Sequence, residues 1–308
     1  MITSYHKPVL LEEVLRSLDL AHGRIFCDTT LGDGGHTMAM LEQLPGEWYV
    51  IVIDRDAQAI ERAQQRLVSF GNRFRAIHGN FSDIEQLLRT HGVNAVDGII
   101  CDLGVSMLQI SDPNRGFMYS TNGPLNMRMQ ADAGLSAADI INDFPETEIA
   151  DIIYKFGEER QSRRIARAIV RERSKNRIET TGQLRTIVRN VVGERFIIKT
   201  LARVFQSFRI YINDELGSLE RFLSSVLNVL NPNGRLAIIE YHSLESRLIK
   251  DFIYRETHPC TCPKDFPQCV CGKEPRINVI SRLIKPGEKE LQDNPNSRSA
   301  RLRVIEKI

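Results

Sequence analysis

"RIFCDTTLGDGGH", residues 24–36, decides the fold. A short apolar run ends on Asp28, and Gly32, Gly34 and Gly35 follow within four positions. A strand that runs straight into a glycine loop and then a helical stretch (36–44) is the opening unit of an α/β sheet, with backbone brought close to a ligand. Outward from it the alternation continues. "YVIVID" (49–54) precedes the amphipathic "AQAIERAQQRLVSF" (57–70), "FRAIHG" (74–79) precedes a helix near 83–91, and "VDGIICDLG" (96–104) is a further buried strand. Short apolar runs alternating with helical periods predict a parallel sheet covered on both faces.

The pattern changes after that. From about Ser136 to Leu230 nearly everything reads as helix, with "TTGQLRTIVRNVV" opening on a threonine cap. Strand character returns at "GRLAIIEYH" (234–242), after the turn signal "NPNG" (231–234) and before a helix from Leu244. "RINVIS" (276–281) and "RLRVIEK" (301–307) read as an antiparallel pair. The economical arrangement is one doubly wound domain, residues 1–115 and 215–308, interrupted by an all-helical insertion at 116–214.

Charge is segregated along the chain. Residues 155–210 hold 15 Lys/Arg against 5 Asp/Glu, a local charge of +10, which leaves −8 for the rest of a chain whose net charge is +2. Such segregation points to a polyanion-facing segment. Arg160, Arg164, Arg167 and Arg171 are spaced four, three and four apart, the spacing of one helical stripe. A solvated helical face is the alternative reading of that stripe. The balance of 42% hydrophobic and 26% charged residues is that of a globular protein. No window reaches the apolar length of a membrane span, and "MITSYHKPVLLEEVL" lacks the plan of a secretory signal, so a cytoplasmic location without membrane contact is expected.

The glycine loop departs from nucleotide-phosphate patterns. A dinucleotide loop wants a third glycine where Thr37 stands, which weighs against a nicotinamide oxidoreductase, and a triphosphate loop wants a lysine that is absent. Asp28 and Asp33 would repel a pyrophosphate but suit an ammonium or sulfonium. Asp54 ends the second strand 22 residues after Gly32, where an acid accepts hydrogen bonds from ribose hydroxyls. Ribose without phosphate, together with positive charge near the glycines, describes S-adenosylmethionine. Asp102 closes the fourth apolar run, where an unpartnered carboxylate is costly. It and His242 are the candidate acceptors for a proton. Finally, "CTCPKDFPQCVC" sets Cys260, Cys262, Cys269 and Cys271 in a C-x-C-x6-C-x-C pattern, which suggests a structural zinc site although zinc spacings are usually wider.

The motifs also carry a resemblance. "HKPVLLEEVL" (6–15), "DTTLGDGGHT" (28–37), "IDRD" (53–56), "GNFSD" (79–83), "CDLGVS" (101–106), "RGF" (115–117), "LNMRM" (125–129), "FGEER" (156–160), "FQSFRI" (205–210), "YHSLESR" (241–247) and "NPNSRSARLRV" (294–304) follow one another in order. From His6 to the C-terminus the chain resembles the MraW family of bacterial 16S ribosomal RNA cytosine N4-methyltransferases. The resemblance implies a Rossmann-like S-adenosylmethionine methyltransferase fold and methylation of the exocyclic amine of a decoding-centre cytidine. It implies 16S RNA of the small ribosomal subunit as partner, met by the helical insertion. It also implies cofactor contacts at Gly34, Gly35, His36, Asp54, Phe81, Asp102 and Gln109. Against the family pattern, Met107, Ser111, Met118, Tyr119, Asn126 and Tyr241 stand where Ser, Asp, Ser, Phe, Asp and Phe are usual, and 199–210 lacks a usual His-Pro. These departures favour the second reading, a non-catalytic or diverged ribosome assembly factor that keeps the fold.

Overall fold

A computed structural model describes residues 7–130, 133–263 and 270–308. The chain divides into two compact units, Met1–Gly104 with Gly217–Ile308, and Val105–Leu216. The first junction thus falls at Gly104, ahead of the expected 115, because the short helix Met107–Ser111 and the turn Pro113–Arg115 pack within the second unit.

The first unit is built on seven strands: β1 (Ile25–Asp28), β2 (Tyr49–Asp54), β3 (Phe74–His78), β4 (Val96–Asp102), β5 (Leu230–Glu240), β6 (Ile277–Ile284) and β7 (Arg301–Lys307). Their order is β3-β2-β1-β4-β5-β7-β6. The first five are parallel, and β7 runs antiparallel between β5 and β6. This is the Rossmann-like methyltransferase arrangement. Strand order reverses between β1 and β4, so the carboxyl ends of those strands open a crevice there.

Residue alternation explains why helices cover both faces. Val50 and Val52 of β2 enter one apolar cluster with Phe26, Met40, Leu41, Ile100 and Ile239. Ile51 and Ile53 point the other way, to Cys27, Ile84, Ile99, Phe222 and Ile238. Strands apolar on both faces must be buried on both. The sequence expectation of a separate turn at 231–234 is corrected in detail: that stretch lies within β5, where the pairing with β4 shifts register between Val96 and Gly98 and Asn233 adopts φ +63°. Asparagine tolerates that left-handed conformation better than most residues.

The second unit is helical. Its main elements are Ala137–Asp143, Glu146–Gly157, Ser162–Arg173, Thr181–Val192 and Ile197–Asn213. Ile149, Ile153, Ile165, Ile169, Leu184, Val188, Val204 and Phe208 meet in one core. Thr180 caps its helix reciprocally with Gln183, as the threonine signal predicted. No helix among the described residues is long and apolar enough to cross a membrane.

One buried ion pair ties the antiparallel edge to the parallel sheet. Arg303 of β7 forks onto both oxygens of Glu240 at 3.1 and 3.2 Å, and Ser246 Oγ donates to the same carboxylate at 2.7 Å. Removing one partner strands a charge in a dry site. Arg303→Met is expected to lower stability by about 3–5 kcal/mol in urea unfolding, and Glu240→Leu/Arg303→Met to recover most of that loss. A single mutant within about 1 kcal/mol of wild type would show that the pair is not held this tightly.

Candidate active site

Three strands of the first unit each end on an aspartate: Asp28 on β1, Asp54 on β2 and Asp102 on β4. Parallel pairing in register brings these ends to one edge. The glycine loop is built off them. Gly32 N–H donates to Asp54 Oδ2 at 2.9 Å, and Asp56 N–H donates to Asp54 Oδ1 at 2.8 Å. Asp28 is buried, and its oxygens accept from Thr30 N–H at 3.1 Å and Thr37 Oγ1 at 2.7 Å. Thr30 in turn uses Oγ1 to accept the N–H of Asp102 at 2.7 Å. One web therefore joins the ends of three strands.

Gly34 is the N-cap of the helix Gly35–Gln43 at φ +72°, a conformation that strains any residue with a Cβ. No side chain caps this helix, so its first N–H groups suit an anionic group such as a carboxylate. Gly35 has a different cause. A Cβ there would lie 2.4 Å from Pro8 Cγ, so this glycine makes room for the preceding segment. His36 is buried, with Nε2 3.0 Å from the carbonyl of Val9. A carbonyl only accepts, so Nε2 carries the hydrogen and Nδ1 holds the lone pair of the neutral ring. Burial pushes the His36 pKa down, against opposing pulls from Asp102 and Val9.

Asp102 is half-buried, and Tyr241 Oη donates to its Oδ1 at 2.8 Å. Among the described residues no other side chain donates to this carboxylate. Asp28, Asp54 and Asp102 all have pKa values raised to about 6, in each case first by burial. Repulsion from Asp28 adds to the other two, while His36 and Tyr241 pull Asp102 down and Glu245 pushes it up. Each carboxyl is therefore protonated below about pH 6 and charged above it. Because the folded values lie above the unfolded one, their ionisation costs stability as pH rises through that range. Each Asp54 oxygen accepts one backbone N–H and has a second lone pair, an acceptor set that matches a pair of hydroxyls. A ribose-bearing sulfonium fits this donor and acceptor set, and a pyrophosphate does not.

The remaining expected residues divide between the two units. Phe81 opens the turn Phe81–Asp83 and meets Phe222 edge-on, ring centroids 5.4 Å apart. His242 caps the helix Ser243–Thr257, Nδ1 accepting Glu245 N–H at 3.4 Å, so its lone pair is spent on the backbone. Gln109 lies in the second unit, buried, completing a capping box with Ser106. There too, Arg164, Arg167 and Arg171 sit exposed on the helix Ser162–Arg173, but Arg160 stands in the turn before it. That helix starts at Ser162, because Glu158 ends the preceding one in a left-handed conformation. Arg163, exposed on the same helix, takes the place the 4-3-4 spacing had given to Arg160. Cys260, Cys262 and Cys271 gather with all sulfurs within 4.8 Å of one another, and Cys269 lies outside the described residues. Sequence reasoning missed Thr30, Thr37 and the role of Tyr241. The one signal for Thr37 was its position where a dinucleotide loop has glycine.

A family model described as the MraW methylase family matches residues 3–308. Ribosomal RNA small subunit methyltransferase H of Carboxydothermus hydrogenoformans is 44% identical over 306 residues, covering 98% of each chain. The Granulibacter bethesdensis protein of that name is 48% identical over 308 residues, covering 99% of this chain and 92% of its own. The Geobacter sulfurreducens protein is 44% identical over 313 residues, covering 100% of both.

The acidic edge makes a prediction about charge. S-adenosylmethionine carries one positive charge more than S-adenosylhomocysteine. Its affinity advantage should be largest above pH 7, where all three carboxylates are ionised, and should shrink at least about threefold by pH 5.5. Calorimetry with both ligands at the two pH values checks this. A ratio independent of pH would mean that the carboxylates do not read the sulfonium.

Proposed function

The chain belongs to the MraW methylase family, and from that premise we propose that it methylates the exocyclic N4 amine of a decoding-centre cytidine in 16S ribosomal RNA of the small subunit. The observation that carries the chemistry is Asp102, at the carboxyl end of β4 with Oδ1 pinned by Tyr241. Asp54 would hold the ribose of S-adenosylmethionine, Phe81 would border its adenine, and the uncapped helix end at Gly35 would meet its carboxylate. Bound there, S-adenosylmethionine would supply an electrophilic methyl group on a sulfonium.

The amine is the difficulty, because its lone pair is conjugated into the cytosine ring. Asp102 Oδ2 would accept a hydrogen bond from an N4 hydrogen and so help localise that lone pair on nitrogen. As nitrogen bonds to the methyl carbon, the carbon–sulfur bond would break, with its electron pair returning to sulfur and S-adenosylhomocysteine as the leaving group. The nitrogen would become cationic and strongly acidic, and its proton would pass to Asp102. A carboxylate with a pKa near 6 is a competent acceptor for so acidic a proton. Alignment does the rest: the web through Thr30 fixes the backbone of Asp102, and the Tyr241 hydroxyl fixes its side chain. His242 is set aside as a base, since its Nδ1 caps a helix.

Two of the departures from the family pattern make bonds that suit an active enzyme as well as an assembly factor. Tyr241 adds a hydrogen bond to the acceptor, and Asn126 Oδ1 takes Arg128 Nε at 2.8 Å within its own unit. RNA would be met by Arg163, Arg164, Arg167 and Arg171. Their ion pairs, Arg167 with Glu146 at 3.6 Å and Arg171 with Glu172 at 3.3 Å, are surface pairs that phosphates can displace.

Two measurements test the proposal. With small ribosomal subunits as substrate, Asp102→Ala should lower the methylation rate at least about a hundredfold at saturating S-adenosylmethionine, with little change in RNA binding. Tyr241→Phe, which removes a contact that lowers the Asp102 pKa, should move the acidic limb of the rate profile upward from about pH 6. Wild-type turnover in Asp102→Ala removes this residue from the chemistry, and a wild-type protein that modifies no cytidine in the subunit overturns the assignment. Separately, replacing Arg164, Arg167 and Arg171 with Gln should flatten the salt dependence of RNA binding by roughly 0.7–0.9 log unit per lost phosphate contact. An unchanged slope would make that stripe a solvated face.

A further inference from the structure

Between the helix Ser243–Thr257 and β6 lie two described stretches of irregular chain, 258–263 and 270–276, and Val270 is 73% exposed. The base of this segment is closed by Arg276, whose N–H donates to the Glu256 carbonyl at 3.0 Å and whose Nη1 lies 3.3 Å from the Glu256 carboxylate. Beyond that base, three cysteine sulfurs come together among the described residues. Cys260 and Cys262 come from one side and Cys271 from the other, and their Sγ atoms all lie within 4.8 Å of one another.

Three details distinguish this from a chance meeting of thiols. Val270 N–H points at Cys262 Sγ at 3.4 Å, so the backbone orients this sulfur as outer-sphere bonds orient metal ligands. Gly272 takes φ +62° directly after Cys271, so the chain turns back as soon as it has presented that sulfur. The separation is also suitable, since zinc–sulfur bonds of about 2.3 Å in a tetrahedron put sulfurs about 3.8 Å apart. The gathered atoms need to move by an ångström or less. Three closely held thiolates without a cation would repel one another, whereas a divalent soft cation would neutralise two charges.

We infer that Cys260, Cys262 and Cys271 form a structural zinc site that locks this segment between the helix and the antiparallel edge of the sheet. Zinc is favoured over harder cations because every donor is a sulfur. Cys269 offers a fourth thiol in the sequence and lies outside the described residues. The site is independent of the methyl-transfer proposal and takes no part in that chemistry. As in other small metal-bound segments, binding free energy would become local folding free energy.

The test uses the full chain, purified under reducing conditions without a metal-affinity tag. Elemental analysis should find about one zinc per chain, and a mercurial thiol reagent should release it in step with thiolate modification, read with a zinc-sensitive dye. Cys262→Ser/Cys271→Ser should lower zinc content at least tenfold while urea unfolding of the parallel sheet changes little. Hydrogen exchange at 258–263 and 270–276 should accelerate in that variant and, equally, in wild-type protein stripped with a chelator. Four results overturn the inference: metal-free protein whose thiols react freely at full rate, a disulfide among these cysteines in non-reducing mass spectra, an iron–sulfur chromophore, or unchanged exchange after zinc is removed.

Discussion

Negative charge buried at one edge of a parallel sheet is the constraint on which the first unit depends. Asp28, Asp54 and Asp102 each end a strand, and pairing in register leaves them at the same edge. Burial raises all three pKa values to about 6, so near neutral pH the site holds charges that its surroundings disfavour. The fold offsets this with hydrogen bonds rather than cations. The glycine loop takes its shape from those bonds, through Gly32 on Asp54 and Thr37 on Asp28. A cationic ligand would complete what the backbone leaves partly compensated, which is why the loop can differ from a phosphate-binding one while looking like it in sequence.

The antiparallel edge solves the opposite problem. Glu240 ends β5 as Asp102 ends β4, yet it is fully buried and carries a forked arginine and a serine. A paired carboxylate stabilises the junction of β5 with β7, whereas Asp102, with one neutral donor, remains able to take a proton. Neighbouring strand ends with the same functional group thus diverge in role because one has a guanidinium partner and the other a phenol.

Much of this was legible in the sequence. Apolar runs ending on aspartate marked β1, β2 and β4 closely, since strands buried on both faces have continuous apolar composition. The threonine cap at 180 and the antiparallel pair at the C-terminus were equally visible. Insertion of β7 between β5 and β6 was not, because pairing such as Glu240 with Arg301, far apart along the chain, leaves no local signal. The bulge at 231–234 read as a turn because the same asparagine, proline and glycine serve both. Arg160 was placed on a stripe by spacing alone, and spacing cannot show that one helix ends at Glu158 and the next starts only at Ser162, leaving Arg160 in the turn. At the site, the aspartates stood out by their charge in apolar surroundings. Thr30 and Thr37 did not, because a hydroxyl gains its meaning only from the carboxylate or amide it meets in space.

Tyr241 shows how a departure from a family pattern acquires a physical reading. Relative to phenylalanine it adds one hydroxyl, and that hydroxyl lies 2.8 Å from Asp102 Oδ1. The added bond favours the ionised carboxylate, so it increases the fraction of sites ready to accept a proton near neutral pH. By the same bond it lowers the basicity of that carboxylate. For an acceptor that meets a strongly acidic proton late in the reaction, availability matters more than basicity. The phenol bonds one oxygen of the carboxylate and leaves Oδ2, which in the proposed reaction would meet the amine. The substitution therefore exchanges proton affinity for occupancy and orientation, which is the direction that the proposed transfer to an unreactive amine would require.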